Sequence, residues 1–262
     1  MSEDKFGTHN PAALSFARLE NVSLSYGDKL VLHRCDLDIR ARAITCLIGM
    51  SGAGKSTVLR LLNGLRAPDQ GRVIVRSTDL ATLSAGELVD FRQHIGFSFQ
   101  FGALFDSLTV FENVALPLRE STRMKEDEIR STVHGTLESV GLEASADAMP
   151  SDLSGGMLKR VGFARAVVTN PGLVLYDEPT TGLDPIITHV LTDTIKRLRS
   201  QLNGTAVVVS HDLASIFVMA DYVAMLFEGA IIEYGTVEEV RRSQNPIVQQ
   251  FLHGSAVGPI PI

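Results

Sequence analysis

The chain contains 262 residues, 45% of them hydrophobic and 21% charged, which is ordinary for a globular protein with its own hydrophobic core. Acidic residues number 30 against 24 basic ones, so the net charge is −6 and nucleic acid is not expected as a partner. Cys35 and Cys46 form neither a metal-ligand spacing nor a disulfide framework, which is typical of a reducing cytosol.

The N-terminal residues, Met1 to Pro11, are polar and acidic, so we do not expect a signal peptide there. Residues 1–15 lack periodicity and are predicted to form a flexible N-terminal tail. No stretch approaches the roughly 18 apolar residues that indicate a membrane span. If the protein acts at a membrane, we therefore expect a partner to hold it there.

In chain order, apolar periodicity first predicts a strand over 17–24 and a buried strand over 43–48. A helix is predicted over 55–63, where apolar residues recur at helical spacing. A helical pattern then covers 109–140, and Pro117 is expected to break it.

The second half of the chain alternates helices with buried strands. The pattern predicts a helix over 154–168, a strand over 173–176, a helix over 185–200, a strand over 206–209, a hairpin over 222–234 and a last helix after Asn245. Such alternation implies an α/β fold with a parallel sheet. We expect one domain over 16–243, with a helical subdomain inserted at about 100–165, and a C-terminal extension over 244–262.

Residues 49–56 fit the phosphate-binding pattern G-x-x-x-x-G-K-[ST], and they lie between a predicted strand and a predicted helix, as that motif requires. The motif is Gly49, Met50, Ser51, Gly52, Ala53, Gly54, Lys55 and Ser56. Glycines let backbone N–H groups surround the phosphates at the positive end of the following helix. We expect Lys55 to pair with the β- and γ-phosphates, Ser56 to bind Mg²⁺ and Thr57 to add a phosphate hydrogen bond. The sequence therefore predicts a site for ATP and Mg²⁺.

Two carboxylates, Asp177 and Glu178, follow the apolar strand predicted over 173–176. We expect Asp177 to reach the Mg²⁺ shell and Glu178 to orient and deprotonate an attacking water. Two acids at a strand end also occur as helix caps or in solvated turns. The phosphate-binding loop favours the catalytic interpretation.

A third motif, Leu153-Ser154-Gly155-Gly156-Met157, resembles the signature of ABC ATPases, which usually ends in Gln. Together with the phosphate loop and the acidic strand end, it makes the chain similar to that family from about Leu19 to Val240. The resemblance implies the ABC nucleotide-binding domain: a RecA-like P-loop NTPase core with an antiparallel β subdomain and an inserted helical subdomain. Met157 departs from the pattern, but the Ser cap and the glycines at the helix N-terminus are intact, so hydrolysis is still expected.

Further residues match ABC elements by position. Tyr26 resembles the aromatic residue that stacks on adenine, and Gln100 resembles the glutamine that reaches Mg²⁺ and the attacking water. Asp184 resembles the D-loop aspartate, and His211 the histidine that contacts the γ-phosphate. Singly, Tyr26 could be a strand-end aromatic, Gln100 a solvated residue and His211 a capped histidine. The spacing of the whole set favours the functional interpretation.

The resemblance also implies a homodimer. In the family, the signature of one cassette closes on the nucleotide held by another cassette's phosphate loop. This chain has one of each, so Ser154, Gly155 and Gly156 are expected to contact nucleotide bound by a second copy. Two copies related by a two-fold axis would complete two sites.

The segment after Gln100 is rich in apolar residues, including Phe101, Leu104, Phe105 and Leu108. These could be subdomain core, but a groove that receives a coupling helix of a membrane permease is favoured. The run 100–115, together with the signature and residues 250–254, resembles the Mla/Mce-type ATPases. That group powers phospholipid transport between inner and outer bacterial membranes and so maintains outer-membrane lipid asymmetry.

This second resemblance implies an MlaE-like permease, an MCE-domain lipid-binding protein and a small STAS-domain protein as partners. It also implies a peripheral position on the cytoplasmic face of the bacterial inner membrane. The lipid cargo and the direction of transport do not follow from the cassette, which never touches the lipid.

Three alternatives stay open. A non-transport ABC ATPase is disfavoured because only about a hundred residues, without sustained heptads, separate Lys55 from Ser154. A cassette for another cargo would carry the same catalytic residues. A catalytically inactive regulatory subunit is disfavoured because the lysine, the two carboxylates and the histidine are all present.

Overall fold

The computed structural model describes residues 15–100 and 102–260. Within them the strands are β1 (Ser15–Tyr26), β2 (Lys29–Arg40), β3 (Ile44–Ile48), β4 (Gln70–Val75), β5 (Thr78–Asp79), β6 (Ile95–Ser98), β7 (Leu173–Asp177), β8 (Thr205–Val209), β9 (Tyr222–Phe227) and β10 (Ala230–Thr236). The helices are α1 (Lys55–Leu62), α2 (Ala85–Arg92), α3 (Val110–Ser121), α4 (Glu126–Ser139), α5 (Gly155–Val167), α6 (Pro185–Leu202), α7 (Leu213–Met219), α8 (Val237–Arg241) and α9 (Pro246–His253).

The first sheet is antiparallel, in the order β2-β1-β4-β5. Its inward-facing side chains form one apolar core with α1; Leu19, for example, lies opposite Leu37 on one side and Val73 on the other. The tail predicted over 1–15 lies outside the described residues except for Ser15, which begins β1.

The second sheet has the order β10-β9-β3-β8-β7-β6. All neighbouring pairs are parallel except β9 and β10, which form the predicted hairpin. The strands β3, β7 and β8 are central, and their first four residues are all buried. Because the carboxyl ends of parallel strands meet at one edge, the loops after these three strands lie together there.

The hairpin turn joins the two sheets. The carbonyl of Gly229 accepts a hydrogen bond from the backbone N–H of His33 in β2, with an N···O distance of 2.9 Å. A Cβ atom on Gly229 would lie 2.8 Å from the carbonyl oxygen of Val31, so only glycine fits this close approach. The antiparallel sheet is therefore fixed against the parallel one beside the phosphate loop.

Helices α3, α4 and α5 separate β6 from β7, and described residues 102–167 contain no strand. The prediction that Pro117 breaks the first helix was wrong, because α3 continues through Pro117 to Ser121. The following residue, Leu118, is 2% exposed and packs in the core, and this burial offsets the helix bond that proline removes. The chain leaves the helix at Thr122 instead.

Helix α9 is followed by a segment, 255–260, that folds back along it. The buried Gln250 side chain accepts a hydrogen bond from the N–H of Ile260 and donates to the carbonyls of Ser255 and Ile260. The described part of the predicted C-terminal extension is thus ordered against its own helix.

Candidate active site

The loop between β3 and α1 carries the predicted phosphate-binding residues. Gly49, Gly52 and Gly54 all have positive φ angles, of 142°, 78° and 109°. A Cβ atom on Gly49 would lie 2.2 Å from the carbonyl oxygen of Leu226, so this position excludes every other residue. Met50, Ser51 and Gly52 are exposed, which leaves the loop open to a ligand.

Lys55 begins α1 and its side chain turns back into the loop. Its Nζ donates hydrogen bonds to the carbonyls of Gly49, at 2.8 Å, and Met50, at 3.0 Å. Burial lowers the pKa of the amine, and the carboxylates of Glu178 and Asp177 oppose that shift. A partly desolvated ammonium inside a ring of backbone groups is suited to meet phosphate oxygens.

Ser56 and Asp177 connect the loop with the end of β7. The Ser56 hydroxyl donates to Asp177 Oδ1 at 3.0 Å. Burial raises the pKa of Asp177, whereas the hydrogen bond from Ser56 lowers it. Two oxygen ligands therefore lie side by side next to the phosphate loop.

Glu178 occupies a strained turn immediately after β7, with a φ angle of 49°. Its N–H donates to the carbonyl of Val209 at 2.9 Å, which fixes the turn to the end of β8. Its Oε2 accepts from the Thr181 hydroxyl at 2.8 Å and lies 2.9 Å from Nδ1 of His211. The side chain is 15% exposed, so the carboxylate is held mainly by protein groups.

The signature residues lie at the start of α5, where Ser154 is the N-cap and accepts from the N–H of Met157. A Cβ atom on Gly156 would lie 2.6 Å from Cγ2 of Ile187 in α6. Asp184 caps α6, its Oδ1 accepting from the N–H groups of Ile186 and Ile187. Ser154, Gly155 and Asp184 are all exposed.

The predicted residues therefore form two groups. At the sheet edge Ser56 contacts Asp177 and Glu178 contacts His211, and Lys55 lies in the electrostatic field of both carboxylates. The signature and Asp184 form a second group, and among the described residues no hydrogen bond connects it directly to the phosphate loop. The described surface of one chain thus leaves the signature facing solvent.

Two further predicted residues, Tyr26 and Gln100, make no side-chain hydrogen bond to the first group within the described residues. Tyr26 ends β1 and is 41% exposed, and the Arg66 guanidinium lies 5.5 Å from its ring centroid. Gln100 follows β6 and is half-buried, and its side chain makes no hydrogen bond within the described residues.

A cleft of about 520 Å³ opens beside Gln100, between α2, β6, α3 and α5. Phe97, Phe99 and Phe105 line it, and Phe99 and Phe105 are 44% and 52% exposed. Of the predicted groove residues, Phe101 lies outside the described part, and Leu104 packs against the core instead.

Sequence reasoning missed four polar residues that hold these segments. Asn113 is fully buried and binds the backbone of Phe105, Leu108 and Thr109. The guanidinium of Arg165 donates to the carbonyls of Gly102 and Ala103. Lys159 and Thr181 support the turn at Glu178. The signal that could have revealed Asn113 and Lys159 is a polar residue placed among the apolar positions of a helix.

Comparison with known proteins decides the family. Residues 32–181, more than half of the chain, match the family model described as ABC transporter. The chain belongs to the ABC transporter family. As a member of this family it is an ATPase with the ABC cassette fold, as predicted.

Two relatives and one solved structure place it within the ABC transporter family. The intermembrane phospholipid transport system ATP-binding protein MlaF of Haemophilus influenzae is 41% identical over 92% of both chains. The probable ribonucleotide transport ATP-binding protein mkl of Mycobacterium tuberculosis is 39% identical over 92% of this chain and 67% of its own. The dimeric, post-hydrolysis ATP-binding cassette MJ0796 bound to ADP and Pi has a TM-score of 0.77, is 32% identical, and covers 84% of this chain and 98% of its own.

Proposed function

We propose that this ABC ATPase powers phospholipid transport between the inner and outer membranes of a bacterium, and so maintains outer-membrane lipid asymmetry. The observation that carries the proposal is the 41% identity to MlaF over 92% of both chains. The relative named for ribonucleotide transport is 39% identical, which makes another cargo the second candidate.

In the proposed reaction, Glu178 is the general base. Its carboxylate takes a proton from the attacking water, whose oxygen forms a bond to the γ-phosphorus as the bond to the bridging oxygen breaks. ADP and phosphate result. Thr181 and His211 hold the carboxylate by Oε2, which orients it before substrate binds. Lys55 and the loop N–H groups bind the phosphates, and Tyr26 stacks on adenine.

Mg²⁺ fits the pair formed by Ser56 and Asp177. Mg²⁺ in nucleotide sites takes one or two protein oxygens together with phosphate oxygens and water, and it does not require a cluster of carboxylates. Among the described residues no group of three or more His, Cys, Asp or Glu side chains could hold a metal ion. When bound, Mg²⁺ neutralises charge on the phosphates. Gln100 is proposed to approach the same site.

A homodimer is proposed to complete each site. Ser154 and Gly155 are exposed at the N-terminus of a helix of 13 residues, whose backbone N–H groups suit an anionic phosphate. No direct hydrogen bond joins them to the phosphate loop of their own chain within the described residues. A second copy related by a two-fold axis would bring its nucleotide to this surface. Asp184, which caps α6, would then also lie near that nucleotide.

The cleft beside Gln100 is the proposed docking site for a membrane permease. The exposed Phe99 and Phe105 give it apolar walls, and Arg92 and Glu120 lie at its lining. No helix of the described residues could cross a bilayer. We propose that an MlaE-like permease, docked at this cleft, holds the chain at the cytoplasmic face of the inner membrane, together with an MCE-domain lipid-binding protein and a small STAS-domain protein.

The experiment is to tag the chain, purify it from native membranes and identify the co-purifying proteins and lipids by mass spectrometry. The proposal predicts an MlaE-like permease, an MCE-domain protein and bound phospholipid. A different permease would contradict the proposed phospholipid cargo but not the ATPase activity. Recovery without any membrane protein would contradict the transport proposal.

Two variants make that experiment specific for the cleft. Phe105→Asp places a charge on its wall and should remove the permease from the purified complex. Leu65→Asp changes a similarly exposed apolar side chain, 51% against 52%, outside the cleft and should retain it. Equal recovery of the permease with both variants would contradict docking at this cleft.

A further inference from the structure

Lys159 is a buried cation that joins the signature helix to the turn carrying Glu178. It lies in α5, five residues after Ser154, and is 8% exposed. Its Nζ donates to the carbonyl oxygen of Thr181 at 2.7 Å and to that of Glu178 at 3.3 Å. Both acceptors belong to the turn between β7 and α6.

Burying an ammonium is costly unless several groups compensate for its lost hydration. Burial lowers the pKa of Lys159, and the carboxylate of Glu178 opposes that shift. The amine therefore lies within the electrostatic field of Glu178, although its hydrogen bonds go to main-chain oxygens. A methionine of similar length would fill the same space without that cost, so packing alone does not account for a lysine.

The turn that Lys159 holds is strained. Glu178 has a positive φ angle of 49°, which is unfavourable for a non-glycine residue and persists only where neighbouring groups enforce it. Within the turn, the Thr181 hydroxyl donates to Glu178 Oε2 at 2.8 Å. Lys159 thus binds the main chain of Glu178, which carries the carboxylate, and of Thr181, whose hydroxyl orients it.

We propose that Lys159 is a positioning residue for hydrolysis, which sets the carboxylate of Glu178 relative to the signature helix. The inference rests on the proposed role of Glu178 as base. When Ser154 and Gly155 engage nucleotide on a second copy, α5 moves as one rigid element. Lys159, about 7 Å further along the helix axis, carries that movement to the base of its own site. Binding of the signature residues to nucleotide at one composite site thereby orders the Glu178 carboxylate at the other composite site.

Arg160, the next residue of α5, provides a matched control. Its guanidinium also donates to two main-chain carbonyls, those of Val140 and Gly141, at 3.1 and 3.4 Å. Those carbonyls follow α4 in the helical segment, away from the turn at Glu178. Arg160→Met therefore removes the same kind of contact from the same helix and leaves the turn intact.

The test measures single-turnover hydrolysis of ATP with Mg²⁺, expressed per bound nucleotide, so that only folded protein is counted. Lys159→Met should hydrolyse about 10- to 100-fold more slowly, because a small displacement of a catalytic group has effects of that size. Its ATP affinity should stay within about twofold of wild type, since the phosphate loop is untouched. Lys159→Arg, which retains donors, should recover most of the rate, and Arg160→Met should resemble wild type.

Lys159→Met with a rate close to that of Arg160→Met, whether both are fast or both slow, would overturn the inference. A double-mutant cycle distinguishes the role of Lys159 from the proposed role of Glu178 as base. If Lys159 acts through Glu178, adding Lys159→Met to Glu178→Gln should slow hydrolysis no further. Normal turnover by Glu178→Gln would contradict the proposal that Glu178 is the general base. Slow hydrolysis by Glu178→Gln together with fast hydrolysis by Lys159→Met would contradict only the positioning role of Lys159.

Discussion

Nδ1 of His211 lies 2.9 Å from Oε2 of Glu178, although 33 residues separate the two in the chain. Because a carboxylate only accepts hydrogen bonds, Nδ1 of His211 is the donor in this contact. The two residues follow neighbouring parallel strands, β7 and β8, which is why they meet at the sheet edge.

The first prediction concerns this contact. His211→Ala removes one of the two side chains that hold the Glu178 carboxylate, and kcat for ATP should fall by about 100-fold. Exposed His189, 3.3 Å from Asp193, supplies the control, and His189→Ala should change kcat by less than about twofold. Equal rates for the two variants in a phosphate-release assay would contradict the role given to His211.

Substitutions at two adjacent glycines should distinguish an effect on folding from an effect on dimer assembly. A Cβ atom on Gly156 would lie 2.6 Å from Ile187, whereas on Gly155 its nearest neighbour would be Leu183 at 3.6 Å, an ordinary contact. Gly156→Ala should therefore lower the thermal midpoint, because α5 and α6 must separate. Gly155→Ala should leave the midpoint unchanged and still abolish most ATP hydrolysis, since the proposed composite site would bring the added methyl close to the second copy's nucleotide. A fully active Gly155→Ala would argue against the composite site.

Asn113 provides a test of the segment beside the cleft. Its buried amide makes four hydrogen bonds to main-chain groups of residues 105–109. Asn113→Ala leaves those groups without partners and should lower the free energy of unfolding by about 2–4 kcal/mol in denaturant titrations. Gln244→Ala, which removes one exposed hydrogen bond, should cost less than about 0.5 kcal/mol. Similar values for both would show that Asn113 does not hold the segment.

The two thiols give a prediction for pH. Burial raises the pKa of Cys35 from 9.0 to about 12, and burial also raises that of Cys46. Because the thiolate is the reactive form, both cysteines should resist alkylation at pH 8 in the native state and react once denatured. Labelling of the native protein as fast as the denatured one would contradict this burial.

The same shift affects stability. Above about pH 9 the thiols of the unfolded chain ionise while those of the folded chain stay protonated, so the unfolded state then binds fewer protons. Stability contributed by the thiols is complete below pH 9 and is lost as the pH rises towards 12. The free energy of unfolding should therefore decrease from pH 8.5 to pH 10.5, and cysteine-to-alanine variants should show a smaller decrease.

The sequence predicted the parts of the site that depend on short motifs after buried strands. The phosphate loop follows β3, the acidic pair ends β7, and His211 follows β8, so the order of a parallel sheet brings them together. The predicted N-cap Ser154 also follows from local chemistry, because its side chain accepts a hydrogen bond from the N–H of Met157 in the first turn of α5.

Other features depend on contacts that a single sequence does not display. Strand β2 was not predicted, because Arg34 adopts a φ angle of 42° at a bulge. The buried residues Leu32 and Cys35 therefore break the two-residue alternation that marks a strand. The partner of Lys159 lies in a turn distant along the chain, where the carbonyl oxygen of Thr181 accepts its hydrogen bond. In the sequence Pro117 predicts a helix end, and only the structure shows the burial of Leu118 that keeps the helix intact.

The most direct test of the catalytic account is the behaviour of Glu178→Gln with ATP and Mg²⁺, followed by light scattering and phosphate release on one sample. The change keeps the shape of the side chain and removes its capacity to take a proton. The account predicts that the variant binds ATP, becomes a stable dimer and releases almost no phosphate. Phosphate release at the wild-type rate would contradict the assignment of Glu178 as the general base.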